Sequence, residues 1–429
     1  MLKALQNTMY QAIKKCGQKF NLDLPYLIRN GFLVIVRQGV VIAFGLVLSI
    51  AFARLVPQEV FGQYQFVLSV LAIVSVVSLP GLNASTLQSA ARGFDGDYRE
   101  AVRISFYWSL LGIPILLLIG TYYYFYQHAT LGIAFMVAAI FFPFFYAPNT
   151  WDSFLQGKSR FKVTFEYASI QAILSTLFII GIILLSRDSL LLIIFGYFVS
   201  NTFSNIFFYL KSLRYVENDK KGDAIHYGWF LTRINVLSMF ADNLDKVVIG
   251  IFLGPEALAV YFLGITLTRT IFGLSKTVTS VLLPKIAMRN TAIFRYYIGA
   301  FFLIIPVTVL TYFLLPTIVP ALFSEKYASA IELSQIAILF LPFVFINLFY
   351  LSHFLYYVKN KKIIAWHTMT VAFCKILLMI PLLIYFGTKG LAFMFGFQTV
   401  LSLLVLYILK NIFISNDLQR DKASDARVV

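Results

Sequence analysis

The sequence predicts an all-α integral membrane protein whose twelve transmembrane helices form two six-helix lobes around a central cavity. Three observations lead to this fold class. The 429 residues are 60% hydrophobic and only 13% charged, with a mean hydropathy of +0.82, which is too apolar for a soluble domain. Apolar runs of about 20 residues, long enough to cross a ~30 Å hydrocarbon core, recur along the chain. A short motif also recurs halfway through it.

The apolar runs give the order of the predicted helices. Transmembrane strands would show alternating segments of ~10 residues, whereas runs such as ILLLIGTYYYFY do not alternate. The predicted spans are 30–55, 63–83, 103–125, 131–151, 163–185, 189–211, 229–253, 257–283, 293–316, 331–357, 363–386 and 390–412.

The recurring motif indicates an internal repeat. Residues 55–64, LVPQEVFGQY, join helices one and two, and residues 252–261, FLGPEALAVY, join helices seven and eight at a constant offset of 197. Because each repeat holds an even number of helices, both halves have the same orientation, related by an axis along the membrane normal. The predicted segments are a leader 1–29, an N-lobe 30–211, a linker 212–228, a C-lobe 229–412 and a disordered tail 413–429.

The distribution of Lys and Arg predicts the orientation. With the N-terminus inside, the cytoplasmic segments hold 25 basic residues and the outer loops hold 4. The positive-inside rule therefore places both termini in the cytoplasm. The formal net charge of +16 then reflects topology and contact with anionic inner-leaflet lipid, and we read no nucleic-acid binding into it.

The first 25 residues have the pattern of an amphipathic helix on the inner leaflet, with apolar residues at spacings of three or four: Leu2, Leu5, Met9, Ile13, Cys16 and Phe20. A disordered basic leader is the alternative. No continuous apolar core of the secretory type precedes residue 31.

Cys16 is predicted to be cytoplasmic and Cys374 intramembrane, so the sequence supports neither a disulfide nor a zinc site.

Charged residues inside the predicted spans are the candidate site, because a charge in hydrocarbon usually faces a protein interior or a water-filled path. On helix seven, Asp242, Asp245 and Lys246 lie on one polar stripe. Asp242 and Lys246 have the spacing of an intrahelical ion pair, which leaves Asp245 as the spare carboxylate. Mutual neutralisation and coupling to Na⁺ or H⁺ through Asp242 or Asp245 both stay open.

Cations outnumber acids in these spans, which predicts a positive cavity and an anionic substrate. Arg269 and Lys276 share one face of helix eight without an acid on that helix, an arrangement that suits phosphate. The alternative is that they balance Asp242 and Asp245. For Lys375 on helix eleven and Arg37 on helix one, contact with a diphosphate and structural pairing both stay open. Lys246 completes the candidate substrate-binding set.

The chain resembles the Wzx-type polysaccharide flippases of the multidrug/oligosaccharidyl-lipid/polysaccharide (MATE-like) exporter superfamily. The resemblance rests on LVPQEVFGQY, on SLPGLNASTLQSAARG in helix two, on NLDKVVIGIFLGPEALAVY in helices seven and eight, and on the six-plus-six layout. It covers residues 30 to 412, although the leader is longer than the family pattern leads us to expect. It implies export of undecaprenyl-diphosphate-linked oligosaccharides across the bacterial inner membrane by alternating access.

The resemblance further implies membrane lipids, a polysaccharide polymerase and chain-length machinery as partners, with O-antigen or capsule-like polysaccharide as the product. The alternatives are a cation-coupled multidrug exporter and a peptidoglycan-precursor (lipid II-type) flippase of the same superfamily. An enzyme is not expected: the sequence has no P-loop or catalytic motif, and no outer loop is large enough for a polymerase or ligase.

Overall fold

The computed structural model describes residues 24–126, 128–286, 293–353 and 361–425, and within these ranges the chain is helical with no strand. The last helical stretch, Lys361–Asp425, is numbered α15; it is broken at Gly387, where φ is 58° and ψ is −141°, so it comprises two helices. The α-helices are α1 Leu24–Leu55, α2 Gln58–Val74, α3 Gly81–Ala91, α4 Gly96–Ser109, α5 Gly112–Tyr126, α6 Ala129–Tyr146, α7 Trp151–Gly157, α8 Phe161–Leu185, α9 Leu190–Ser212, α10 Ala224–Phe252, α11 Pro255–Ile286, α12 Ile293–Phe323, α13 Ala330–Ile338, α14 Leu341–His353 and α15 Lys361–Asp425.

The all-α membrane fold is confirmed, while the number of twelve spans stays a prediction. In the described ranges, nine helical stretches are long and apolar enough to cross a bilayer, or ten if α13 and α14, bent by 44°, form one span. α15 counts once in that tally because the break at Gly387 does not interrupt the apolar stretch 362–412. α10 is not among the stretches, because its polar and charged residues, including Arg233, Asp242, Asp245 and Lys246, lower its hydropathy.

The predictions for the two ends of the chain have different outcomes. Residues 1–23, and with them most of the predicted amphipathic leader, lie outside the described residues, and residues 24–29 belong to α1. The predicted disordered tail is corrected in part, because α15 continues to Asp425. Residues 413–425 contain no Gly or Pro, and extending an existing helix avoids the cost of nucleation.

Following the predicted division, we call α1–α9 the N-lobe and α10–α15 the C-lobe; one long seam joins the two sets of helices. α10 packs antiparallel along α2 and α3. A Cβ atom placed on Gly62 of α2 would lie only 1.7 Å from the carbonyl oxygen of Pro255. At the other end of the seam, the Gly81 N–H donates to Thr232 Oγ1 at 3.0 Å, and Gly81 lies against the backbone of Gly228. Glycine therefore allows the two lobes to meet backbone to backbone.

The hydrophobic core continues across this seam. Phe52 and Phe61 stack with ring centroids 5.0 Å apart, and Phe61 meets Phe262 of the C-lobe edge to face at 5.8 Å. Tyr64 and Tyr261, which occupy equivalent positions in the sequence repeat, are both buried in this single cluster. Burial of these aromatic side chains stabilises the contact between lobes as well as each lobe.

At the end predicted to be extracytoplasmic, basic side chains of each lobe bind backbone carbonyls of the other. Arg54 donates from Nε to the carbonyl of Leu322 at 2.9 Å and also to that of Ala321. Lys326 Nζ donates to the carbonyl of Val56 at 3.0 Å. α1 ends at Leu55 and α12 at Phe323, so each cation lies at the negative end of a helix in the opposite lobe. We call these contacts the outer latch.

At the opposite end, the segment between α9 and α10 is fixed to the N-lobe by two buried carboxylates. Asp95 accepts from the N–H of Glu217 at 2.8 Å, and Asp97 accepts from the N–H of Gly222 at 3.0 Å. Lys158 bridges Asp95 and Glu217. Burial alone would lower the pKa of the Lys158 ammonium, but these two carboxylates raise the pKa above its ordinary value of 10.5. We call this arrangement the linker clamp.

Candidate substrate-binding site

The polar stripe of α10 forms the centre of the candidate site. Asp245 is buried, with only 4% of the residue exposed. Its carboxylate accepts from the Tyr261 hydroxyl of α11 at 2.7 Å and from the Lys246 N–H at 2.9 Å. A buried carboxylate needs such donors, because desolvation of an unpaired charge costs several kcal/mol. Tyr261 therefore ties the stripe to α11.

Lys246 lies beside Asp245 but does not form the ion pair that the sequence spacing suggests. Its Nζ donates to Asn243 Oδ1 at 2.7 Å and to the backbone carbonyl of Asp242 at 3.3 Å. The ammonium is therefore held by neutral oxygens of its own helix. The carboxylate of Asp242 points elsewhere.

Asp242 pairs instead with Lys375 of α15, 133 residues away in sequence. The Nζ–Oδ1 distance is 3.0 Å. The exposed fraction of the Lys375 side chain is 6% and that of Asp242 is 60%, so the cation is buried and its partner is open. Structural pairing of Lys375 is thus observed, while its contact with substrate stays a prediction.

Arg269 lies on α11, near the polar stripe of α10. Its guanidinium stacks on the ring of Phe395 at 5.5 Å, and it forms no ion pair within 4.0 Å with any described acidic side chain. Asp245 nevertheless interacts electrostatically with Lys246, Lys375 and Arg269, so these residues form one cluster. We call Asp242, Asp245, Lys246, Arg269 and Lys375 the C-lobe charge cluster; it carries three cations and two carboxylates. The side chain of Lys276 lies outside the described part of the structure.

Arg37 belongs to a separate place in the N-lobe. It forms an ion pair with Asp152 of α7 at 2.6 Å, and Asp152 also accepts from Gln156 at 3.0 Å. Asp152 was not among the predicted site residues, although it is a lone acid at the end of an apolar run and therefore needs a partner. Structural pairing is again the observed contact, which neutralises Arg37.

The fold and the charge cluster are those of a multi-pass membrane protein with charged residues inside its helical bundle. Solved structures show the same fold. The chain is similar to the lipid II flippase MurJ in an inward closed conformation, with a TM-score of 0.66, 17% identity, and 88% of this chain and 87% of that chain covered. It is also similar to an outward-facing multidrug resistance MATE family transporter of the MOP superfamily, with a TM-score of 0.59, 14% identity and coverages of 91% and 96%.

A MOP superfamily transporter from Pyrococcus furiosus is similar as well, with a TM-score of 0.61, 14% identity and coverages of 91% and 95%. The sequence profile of the family described as "Polysaccharide biosynthesis protein" matches residues 51–332. The chain therefore belongs to this polysaccharide biosynthesis protein family. A search of curated proteins found no match. The family model thus supports the predicted polysaccharide family, and the solved structures support the predicted fold.

Proposed function

We propose that this transporter flips polyprenyl-diphosphate-linked oligosaccharide repeat units from the inner to the outer leaflet of a bacterial cytoplasmic membrane, for O-antigen or capsule-like polysaccharide. The observation that carries the proposal is the excess of cations in the C-lobe charge cluster. The family profile supports polysaccharide as the pathway. Polysaccharide polymerase and chain-length proteins are the partners that such a pathway requires.

Arg269 is the group best suited to bind the diphosphate. Its guanidinium lies over the Phe395 ring, and its N–H groups form no ion pair with a described carboxylate. A planar guanidinium binds a phosphate through two parallel hydrogen bonds. Lys375 provides the second charge, because its partner Asp242 is exposed and can be displaced by an incoming phosphate. Lys276 continues the same helix towards the cytoplasmic end.

The energy source in this proposal is electrical. An inside-negative potential favours outward movement of an anion by ~2.3 kcal/mol per charge per 100 mV. Na⁺ or H⁺ moving inward would reset the carrier. Asp242 is the better candidate for that ion than Asp245, because Asp242 is 60% exposed while Asp245 is buried and bonded to Tyr261.

A lipid II-type flippase is the second candidate. Its favouring observation is the fold similarity to MurJ, and a lipid diphosphate would suit the same cations. A multidrug exporter for organic cations fits less well, because three cations outweigh two carboxylates in the charge cluster. Reconstituted vesicles offered a polyprenyl-diphosphate oligosaccharide, lipid II or a cationic dye separate the three candidates directly.

The test of the site uses Arg269. Arg269→Ala should abolish flipping of the polyprenyl-diphosphate oligosaccharide, because charge-assisted hydrogen bonds contribute about 1.5–3 kcal/mol each. Arg269→Lys should restore only part of the activity, since the two-point contact is lost. Arg187→Ala, which removes an exposed cation in a predicted outer loop, is the matched control. Full transport by Arg269→Ala/Asp245→Asn would show that Arg269 only balances a carboxylate and would overturn this role.

A further inference from the structure

α4 of the N-lobe lies against the beginning of α10 of the C-lobe, and we call the outer surface along this contact the groove. Where α4 begins, at the predicted cytoplasmic end, a pocket of about 270 Å³ is lined by Gly96, Arg99, Glu100, Arg103, Asp219 and Lys221. The linker clamp fixes this pocket, because the Gly96 N–H donates to the carbonyl of Lys220 at 2.9 Å. The pocket is therefore formed before any ligand arrives.

The pocket has three basic and two acidic side chains, so one cation has no acidic counterpart there. Arg99 pairs with Asp219 at 3.1 Å, and Lys221 pairs with Glu100 at 2.7 Å. Arg103 is exposed and forms no ion pair with a described acidic side chain. The pocket thus has a net positive charge and a guanidinium free to bind an anion.

Further along the contact between α4 and α10, an aromatic pair joins the lobes. Trp108 of α4 meets Trp229 of α10 edge to face, with centroids 4.7 Å apart. The exposed Arg233, one turn further along α10, places its guanidinium 5.8 Å from the centroid of the Trp229 ring. Its side chain therefore points back towards the predicted cytoplasmic end. Tryptophan is enriched at the level of the lipid headgroups. The guanidiniums of Arg103, which precedes Trp108 on α4, and of Arg233 therefore both lie near that level.

This surface faces lipid rather than the transport path. Arg233 lies on the opposite side of α10 from Asp242, together with the exposed apolar residues Val236 and Phe240. The wall behind the groove is closed, because Gly81 packs against the backbone of Gly228. A ligand here lies against the outside of both lobes.

We propose that the groove binds an anionic phospholipid of the inner leaflet, with its phosphate between Arg103 and Arg233 and its acyl chains beside Trp108. Basic pockets between helices at the cytoplasmic side suit such headgroups. Arg103 belongs to the N-lobe and Arg233 to the C-lobe, so one bound lipid connects the two lobes. The site is independent of the transported substrate and does not rest on its identity.

Quenching of tryptophan fluorescence by brominated lipids tests the proposal. The full-length protein carrying Trp366→Phe removes the exposed Trp366 and leaves Trp108 and Trp229 as the accessible reporters, since Trp151 is buried. It is reconstituted in phosphatidylcholine vesicles containing brominated phosphatidylglycerol or, at equal content, brominated phosphatidylcholine. We expect the phosphatidylglycerol form to be preferred by about fivefold per arginine, given roughly 1 kcal/mol for each cation near an anionic surface.

Arg103→Gln and Arg233→Gln, singly and together, should reduce the preference towards that of phosphatidylcholine. Arg92→Gln, which removes an exposed cation at the same end but outside the pocket, should leave it unchanged. Both target side chains are exposed, so the single variants should fold; retained size-exclusion profiles check this. Equal quenching by both lipids, or a preference that survives the double variant, would overturn the proposal. Relief of quenching by millimolar inorganic phosphate would also overturn it, because the site would then take free phosphate.

Discussion

At the scale of single residues, the Asp242–Lys375 pair is asymmetric. Lys375 is buried and Asp242 is 60% exposed, although their charged atoms are 3.0 Å apart. Removing the acid leaves a buried ammonium without its counter-ion, and an uncompensated buried charge strongly lowers the stability of the folded state. Removing the base leaves a carboxylate that water can still solvate. The two changes should therefore differ in their effect on stability.

We expect Asp242→Asn to lower the thermal midpoint in detergent clearly more than Lys375→Met does. The difference in unfolding free energy should be on the order of 1–3 kcal/mol, since a partly buried pair costs less to break than a fully buried one. Differential scanning fluorimetry at a fixed scan rate measures this. Combining both changes should recover much of the loss, and equal destabilisation by the two single changes would contradict the asymmetry.

Sequence spacing predicted the polar stripe of α10 but not the partners of its charges. Helical periodicity places Asp242, Asp245 and Lys246 on one face, and the structure has them there. It cannot show that Asp242 pairs with Lys375, because that contact depends on how α15 packs. For the same reason the contacts of Tyr261, Phe395 and Asp152 were missed. Tyr261 alone was marked beforehand, as a member of the sequence repeat.

At the scale of helices, the approach of α2 to α11 depends on the absence of a side chain at Gly62. A Cβ there would lie 1.7 Å from the Pro255 carbonyl oxygen, and the neighbouring atoms are also backbone. No rotamer change can relieve a clash with backbone, so the two helices would have to separate. That separation would remove contacts from the core that joins the lobes.

Gly62→Ala should therefore reduce stability by roughly 1–3 kcal/mol and impair transport, as overpacking does elsewhere. Gly39→Ala is the matched control, because a Cβ at Gly39 of α1 meets nothing within 4 Å. Alanine favours a helix over glycine by about 1 kcal/mol, so this variant should be neutral or slightly more stable. Thermal unfolding and vesicle flipping of the two variants provide the comparison. Similar behaviour of both would show that the seam tolerates a methyl group.

The helices themselves were largely predictable, because long apolar runs admit little else in a bilayer. The interruptions were not predicted, because the spans 63–83 and 331–357 were drawn through them. Pro80 and Gly81 mark the first one in the sequence, and the structure has Leu79 at a φ of 59° beside them. The bend between α13 and α14 lies at Phe340, and Pro342 marks it in the sequence, because proline lacks the N–H that would bond to the carbonyl four residues earlier.

At the scale of the whole molecule, the sequence repeat anticipated two similar lobes, but not the contacts that hold their outer ends together. In the outer latch, Arg54 binds the last carbonyls of α12 and Lys326 binds the carbonyl after α1. Gln58 adds a bond to the carbonyl of Glu256 at 3.1 Å. Every residue has a backbone carbonyl, so the sequence does not indicate which carbonyls accept these bonds. For this reason the contacts could not be predicted.

If transport follows the alternating access that the resemblance implies, the outer latch has to open, because its cations join the two lobes at the predicted outer face. Arg54→Ala should shift the population towards separated outer ends, since it removes two charge-assisted bonds to helix-terminal carbonyls. Spin labels at Asp188→Cys in the N-lobe and Tyr385→Cys in the C-lobe, with Cys16 and Cys374 replaced by Ser, report the separation as a distance distribution. Lys389→Ala is the control, because Lys389 pairs with Glu332 inside the C-lobe at 2.6 Å. An unchanged distribution for Arg54→Ala, or an equal shift for Lys389→Ala, would mean that the packing of Gly62 on Pro255, and not the latch, keeps this end closed.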